Sequence, residues 1–137
     1  MQIKLVKHLT VSILFLLLLA GCSQDSVLHN KELDESINSV VENKDNSEIN
    51  IQSFINFDWD KAYLITPYTS QEGINDQLGV AFKDPSNIYK RDDIYLLVFL
   101  DGEEVAQYVE INRQQTSFSI GEKEHLTPSD AVINIER

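Results

Sequence analysis

Cysteine, proline and glycine are all scarce in this sequence. Its 137 residues include one cysteine, three prolines and five glycines. A single thiol excludes an intramolecular disulfide and a cysteine-rich metal site. The few glycines supply neither a phosphate-cradling loop nor a Gly-x-Ser-x-Gly nucleophile elbow. Sequence motifs for phosphoryl transfer and for nucleophilic catalysis are therefore missing, and the sequence assigns no catalytic residue and no cofactor.

Positive charge is also scarce. The chain has 11 Lys and Arg residues against 22 Asp and Glu residues, and every acidic residue follows Cys22. Lys4 and Lys7 precede Cys22, so the chain from residue 22 onward has nine basic and 22 acidic residues, a formal net charge of −13. Such a surface repels phosphate groups and anionic lipid headgroups. We therefore expect no binding to nucleic acid.

The first 21 residues have the pattern of a secretory signal peptide. Lys4 and Lys7 make the start of the segment basic, and residues 9–19 are apolar apart from two hydroxyl side chains. This apolar run is shorter than the ~20 residues that a membrane-spanning helix needs. It fits the apolar region of a signal peptide. We therefore expect residues 1–21 to be removed by cleavage.

The tetrapeptide Leu19-Ala20-Gly21-Cys22 ends this leader and resembles the lipobox of bacterial lipoproteins at every position. The resemblance implies cleavage between Gly21 and Cys22 and a diacylglyceryl thioether on Cys22, with N-acylation left open. Two acyl chains hold a protein durably on a membrane. Alkylation of the sulfur also accounts for a lone cysteine in an exported protein. The alternatives are an ordinary secreted protein and an uncleaved signal anchor.

A lipobox predicts a location on the extracytoplasmic face of the cell membrane. The Asn-, Ile- and Lys-rich composition favours a Gram-positive cell. In a two-membrane bacterium, the presence of Ser23 instead of Asp after the cysteine would indicate the outer membrane. The expected partners are the membrane, through the lipid anchor, and a protein of the cell envelope.

After the leader we expect a polar, lipidated tether at residues 22–30 and a single domain at residues 31–137. Asn30 is a predicted helix N-cap, because the apolar residues that follow recur with the spacing of one helix face. We expect this amphipathic helix to end between Asn43 and Ser47. The apolar residues of its stripe are Leu33, Ile37, Val40 and Val41.

The strongest strand signal is the apolar run Ile94–Leu100, which predicts a central strand covered on both faces. Asp101-Gly102 predicts a hairpin turn after this strand. The returning strand is expected at residues 105–111. Successive side chains of a strand point to opposite faces, so this stretch predicts that three of its apolar side chains lie on one face. These side chains are Val105, Val109 and Ile111.

Weaker strand signals occur at residues 62–66, 116–120 and 131–135, and we expect the second of these to continue the meander. A short helix capped by Thr69 or Ser70 is predicted to run to Leu78. Together the elements predict an α+β fold. In it, an N-terminal amphipathic helix and one short helix pack on a mostly antiparallel sheet of about four to five strands.

Asp58 and Asp60 are the candidates for a metal site in the sequence. On an extended segment both side chains would point the same way and could contact one hard cation such as Ca²⁺. The surrounding residues do not have the spacing of an EF-hand loop. The alternative is that these carboxylates cap the edge of a strand and form ion pairs with Lys61, Arg91 or Arg113.

Histidine and aromatic residues add further candidates. His29, in the predicted tether, and His125 supply too few ligands for a recognisable zinc site. Six aromatic residues beside the predicted strands are expected in the core, with a ligand- or carbohydrate-binding surface as the alternative. They are Trp59, Tyr63, Tyr68, Tyr89, Tyr95 and Tyr108.

Residues 57–69 have the pattern Phe-x-Trp-Asp-Lys-x-Tyr-x-x-x-Pro-Tyr-Thr, which resembles a segment of small uncharacterised lipoproteins of Bacillus and related bacteria. Residues 92–100 and the hairpin after them are similar to a second part of those proteins. The resemblance extends over about half of the mature chain and carries no catalytic residues. It implies an envelope lipoprotein.

Three functions follow from these observations as hypotheses. The first is a non-enzymatic, lipid-anchored binding module of the cell envelope, which an exposed apolar or aromatic patch would favour. The second is an envelope enzyme, such as a hydrolase, whose polar groups converge only in the folded domain. The third is a cation-binding lipoprotein.

Overall fold

The computed structural model describes residues 27–137, so the leader, Cys22 and most of the predicted tether lie outside the described residues. Helices and strands are mixed along this part of the chain, which confirms the α+β class. The helices are α1 (Lys31–Glu42) and α2 (Gln71–Leu78), with short 3-10 turns at Ile51–Phe54 and Ile88–Lys90. The strands are β1 (Leu28–His29), β2 (Glu48–Asn50), β3 (Lys61–Ile65), β4 (Ile94–Asp101), β5 (Glu104–Asn112), β6 (Ser117–Ser119) and β7 (Val132–Glu136).

The strands form two sheets, with the orders β1-β5-β4-β3 and β2-β7-β6. All strand pairs are antiparallel except β1 on β5, which confirms the mostly antiparallel pairing. The expectation that residues 116–120 continue the meander is wrong, because β6 pairs with β7 in the smaller sheet. Gln114 and Gln115 have positive φ angles of 47° and 63° and turn the chain away from β5.

Both helices begin and end where local signals predict. The Asn30 side chain accepts a hydrogen bond from the Leu33 amide at 2.9 Å and caps α1, which ends at Glu42. The Ser70 hydroxyl accepts from the Gly73 amide at 3.0 Å at the start of α2. Gly79 follows α2 with a φ of 73°, a conformation that glycine adopts without a steric penalty.

β4 is the centre of the core, and its side chains are buried on both faces of the larger sheet. Tyr95, Leu97 and Phe99 face α1 and the smaller sheet, where they join one hydrophobic cluster. The alternate residues face α2 and the loop after it, where they join a second cluster. The prediction of a strand covered on both sides is therefore confirmed.

A β-bulge shifts the register between β4 and β5. Phe99 lies opposite Gln107, but Leu100 lies opposite Val105, so β5 has one additional residue, Ala106. Val105 therefore packs against the cluster on the α2 side, whereas Val109 packs against the cluster on the α1 side. The expectation that both residues share a face is wrong, since an inserted residue reverses the alternation of side chains.

Candidate functional site

The lipidation and cleavage residues, Cys22 and Gly21, lie outside the described residues. Asp58 and Asp60 are described, and both are exposed. Asp60 accepts a hydrogen bond from the Gly102 amide at 3.2 Å. Within residues 27–137 neither carboxylate forms a salt bridge, so the ion pairs considered with Lys61, Arg91 and Arg113 are not formed there.

The two histidines have different surroundings. His125 packs beside Tyr63, with 5.4 Å between the ring centroids, and its Nδ1 atom has no hydrogen-bond partner among the described residues. His29 is part of β1, at the end of the predicted tether, and its Nε2 atom lies 2.5 Å from Oδ2 of Asp34 on α1. The last residues of the predicted tether are therefore paired with the sheet.

Glu110 on β5 completes a cluster with His29 and Asp34. One potential ligand atom from each residue lies within 4.8 Å of the other two. The three side chains come from three elements, β1, α1 and β5, and Asp34 and Glu110 are 76 positions apart in the sequence. Sequence spacing gives no signal for a cluster of this kind, so Asp34 and Glu110 are not among the candidates predicted from the sequence.

The cluster exists because α1 lies along the outer edge of β5 beyond the two residues of β1. Asn30, Asp34 and Asn38 are four residues apart and share one face of the helix. Oδ1 of Asp34 accepts from the Glu110 amide at 2.8 Å, and Oδ1 of Asn38 accepts from the Asn112 amide at 2.8 Å. The helix side chains thus satisfy backbone groups that an edge strand would otherwise leave unpaired.

Stacking fixes the orientation of the imidazole. The His29 ring lies on the ring of Tyr108, with 4.6 Å between centroids and 21° between the planes. Tyr108 is buried and also packs against Phe82. The side chains of His29 and Asp34 are only 23% and 16% exposed, so both are held in place while remaining in contact with solvent.

Burial and neighbouring charges shift the pKa values in and around the cluster. Burial raises the pKa of Asp34 and outweighs the opposing effects of the Glu110 amide and of His29. Burial, followed by the charge of Glu110, raises the pKa of Tyr108. Nη1 of Arg91 lies 3.7 Å from Oε1 of Glu110. The closer partner of Arg91 is Asp93, at 2.8 Å in two hydrogen bonds, which lower the pKa of the Asp93 carboxyl.

An open groove of about 640 Å³ passes over the cluster, with His29, Asp34, Tyr108 and Glu110 in its wall. Glu35 and Glu42 of α1 add to the negative charge of the wall, and Lys31 adds a positive charge. The wall is therefore predominantly negative. Among the described residues that line this groove there is no Ser, Thr or Cys. The acidic wall and the His29–Asp34 pair suit binding of a cationic or metal ligand.

The six aromatic candidates divide between the core and the surface. Trp59, Tyr95 and Tyr108 are buried, as expected. The expectation of a core position is wrong for Tyr68 and Tyr89, which are 62% and 55% exposed. Tyr89 lies in the 3-10 turn at Ile88–Lys90, and the Tyr68 amide donates a hydrogen bond to the Ile88 carbonyl of the same turn. Tyr63 is partly buried and packs against the cluster on the α2 side.

Within residues 27–137 no helix combines the length and apolar character needed to cross a membrane. Comparison of the chain with models of protein families, with curated proteins and with solved structures found no match.

Proposed function

We propose that the protein is a lipid-anchored extracytoplasmic lipoprotein whose domain serves as a non-enzymatic binding module of the cell envelope. Leu19-Ala20-Gly21-Cys22 and the basic, apolar leader before it support the anchor. The groove between α1 and β5 is the binding site. The observation that carries this assignment is the convergence of His29, Asp34 and Glu110 in an open groove whose wall is predominantly acidic.

The predominantly negative wall of the groove indicates the charge of the ligand. Asp34, Glu35, Glu42 and Glu110 outnumber Lys31 there. A partly buried negative site attracts cations more strongly than a fully solvated surface does, because screening by water and salt is weaker. The ligand is therefore cationic or presents a cationic group.

Replacement of Cys22 tests the anchor. In cells supplied with an alkyne-tagged fatty acid, the wild-type chain is expected to incorporate the label and fractionate with membranes. Cys22→Ser is expected to lose the label and either leave the membrane fraction or remain unprocessed, whereas Ser23→Ala should behave as wild type. Equal labelling of Cys22→Ser and wild type would contradict the proposal.

Site-specific crosslinking tests the groove. A photo-crosslinking amino acid in place of Glu35, an exposed residue in the groove wall, is expected to capture an envelope component in intact cells. The matched control is the same amino acid in place of Glu72, an exposed residue on α2. Adducts that form equally from both positions, or only from position 72, would argue against the groove.

A further inference from the structure

The cluster in the groove combines one nitrogen donor and two carboxylates. Nε2 of His29 and carboxylate oxygens of Asp34 and Glu110 lie within 4.8 Å of one another. We propose that these three residues bind a divalent transition-metal ion of the zinc class and leave a coordination position open to water or to a second ligand. This inference rests on the proposed function, since it names the ligand of the same groove.

The donor set selects the class of metal. Ca²⁺ and Mg²⁺ prefer sites made entirely of oxygen ligands, whereas imidazole together with carboxylate suits zinc and its neighbours in the first transition row. Because zinc is commonly tetrahedral, three protein ligands leave its fourth position for water or a second ligand. Asp58 and Asp60 supply no nitrogen donor, so they do not meet the same requirement.

The distances require only small side-chain movements. Zinc bonds of about 2.0–2.2 Å in a tetrahedron place the ligand atoms about 3.3 Å apart. Nε2 of His29 and Oδ2 of Asp34 are now 2.5 Å apart and must separate slightly, while Glu110 must turn towards them. Backbone rearrangement is not needed, because all three residues already face the groove.

Contacts around the donors hold two of them in position. Oδ1 of Asp34 is occupied by the Glu110 amide, which leaves Oδ2 directed towards His29. The ring of Tyr108 stacks on the imidazole of His29 and holds it in place. Outer contacts of this kind orient metal ligands and reduce the cost of ordering them.

Two other cations compete with a metal ion for these donors. One is a proton, because Nε2 of His29 must be free of its proton to bind a metal. The other is Arg91, whose guanidinium lies 3.7 Å from Glu110. Because Arg91 has a closer partner in Asp93, Glu110 is free to turn away from it.

Equilibrium dialysis of the full chain in detergent tests the site after removal of metals with EDTA. ZnCl₂ and CaCl₂ serve as probes. We expect one tightly bound Zn²⁺ per chain, little Ca²⁺, and at least about tenfold weaker Zn²⁺ binding in His29→Gln and Glu110→Gln. Arg91→Gln is expected to bind Zn²⁺ more tightly than wild type, a gain that a merely structural role of Glu110 would not produce.

The matched controls are Asp60→Asn and His125→Gln, which should retain wild-type affinity. Thermal unfolding in EDTA shows whether each variant is folded, and saturating Zn²⁺ should raise the melting midpoint of wild type but not of His29→Gln. Equal Zn²⁺ affinity in wild type and His29→Gln, or equal loss in Asp60→Asn, would overturn the metal site. If position 35 forms crosslinked adducts but the protein does not bind Zn²⁺, the metal site is rejected and the groove remains the binding site. If neither adducts nor Zn²⁺ binding are found, the groove is rejected as well.

Discussion

Two pairs of acidic residues in this protein differ in how far they are buried and in what they contact. Asp58 and Asp60 are neighbours in the sequence, yet both are exposed, and Asp60 bonds to a single backbone amide. Asp34 and Glu110 are 76 positions apart, yet they lie in one partly buried cluster with His29. The difference arises because the position of α1 along the edge of β5, and not spacing in the chain, brings the side chains together.

The largest expected difference between the two pairs is in stability. Asp34→Ala leaves the Glu110 amide without its partner and removes the contact with His29, which should lower the free energy of unfolding by about 2–3 kcal/mol. Asp60→Ala, the matched control, removes one long hydrogen bond on the surface and should cost less than about 0.5 kcal/mol. Urea unfolding of both variants in EDTA measures the difference. Equal losses would show that Asp34 is no more integrated than Asp60.

A smaller effect is expected from the next residue on the same face of α1. Asn38 accepts from the Asn112 amide at 2.8 Å and donates to the Glu110 carbonyl at 3.3 Å. Asn38→Ala should therefore lower the free energy of unfolding by about 1–2 kcal/mol. Ser39→Ala, on the exposed side of the helix, should change it by less than about 0.5 kcal/mol. If Asn38→Ala is equally neutral, the edge of β5 does not depend on the helix side chains.

The smallest effects are expected in the pH dependence of stability, and their signs differ. Burial raises the pKa of Asp34, so its contribution to stability is present below the ordinary carboxyl pKa of about 4 and is lost as pH rises through the native value. Arg91 lowers the pKa of Asp93, so that contribution is present above about pH 4 and is lost as pH falls through the native value.

Urea unfolding between about pH 2.5 and 6 measures both effects by comparing wild type with Asp34→Asn and with Asp93→Asn. The stability of wild type relative to Asp34→Asn should fall with rising pH. Relative to Asp93→Asn it should rise, and only weakly because Asp93 is exposed. Slopes of the same sign would contradict the different environments assigned to the two carboxylates.

Elements with local determinants could be predicted from the sequence. The cap of α1 joins Asn30 to Leu33, three positions away, and the apolar stripe follows directly. The continuous apolar run of β4 predicts that this strand is buried. β1 and β2, with two and three residues, are too short to show a period. The bulge at Ala106 depends on the register with the partner strand, which no local pattern specifies.

The candidate site could be predicted only in part. Asn30, Asp34 and Asn38 form a polar stripe beside the apolar stripe of α1, and this spacing is visible in the sequence. It indicates that one side of the helix contacts polar groups, but it does not identify β5 as the contact. Glu110 enters the site because β1 covers only Gln107 and Tyr108 and leaves the next part of the β5 edge to the helix.

The central claim is that the cation site is the cluster of His29, Asp34 and Glu110 and not the pair Asp58 and Asp60. Its most direct test is an NMR titration with Co²⁺, a paramagnetic substitute for Zn²⁺. At substoichiometric Co²⁺, the ¹⁵N-labelled full chain should show the first broadening and shifts at the amides of residues 29–34 and 108–112. Strongest effects at Asp58, Asp60 and Gly102, or effects spread evenly over the acidic surface, would contradict the claim.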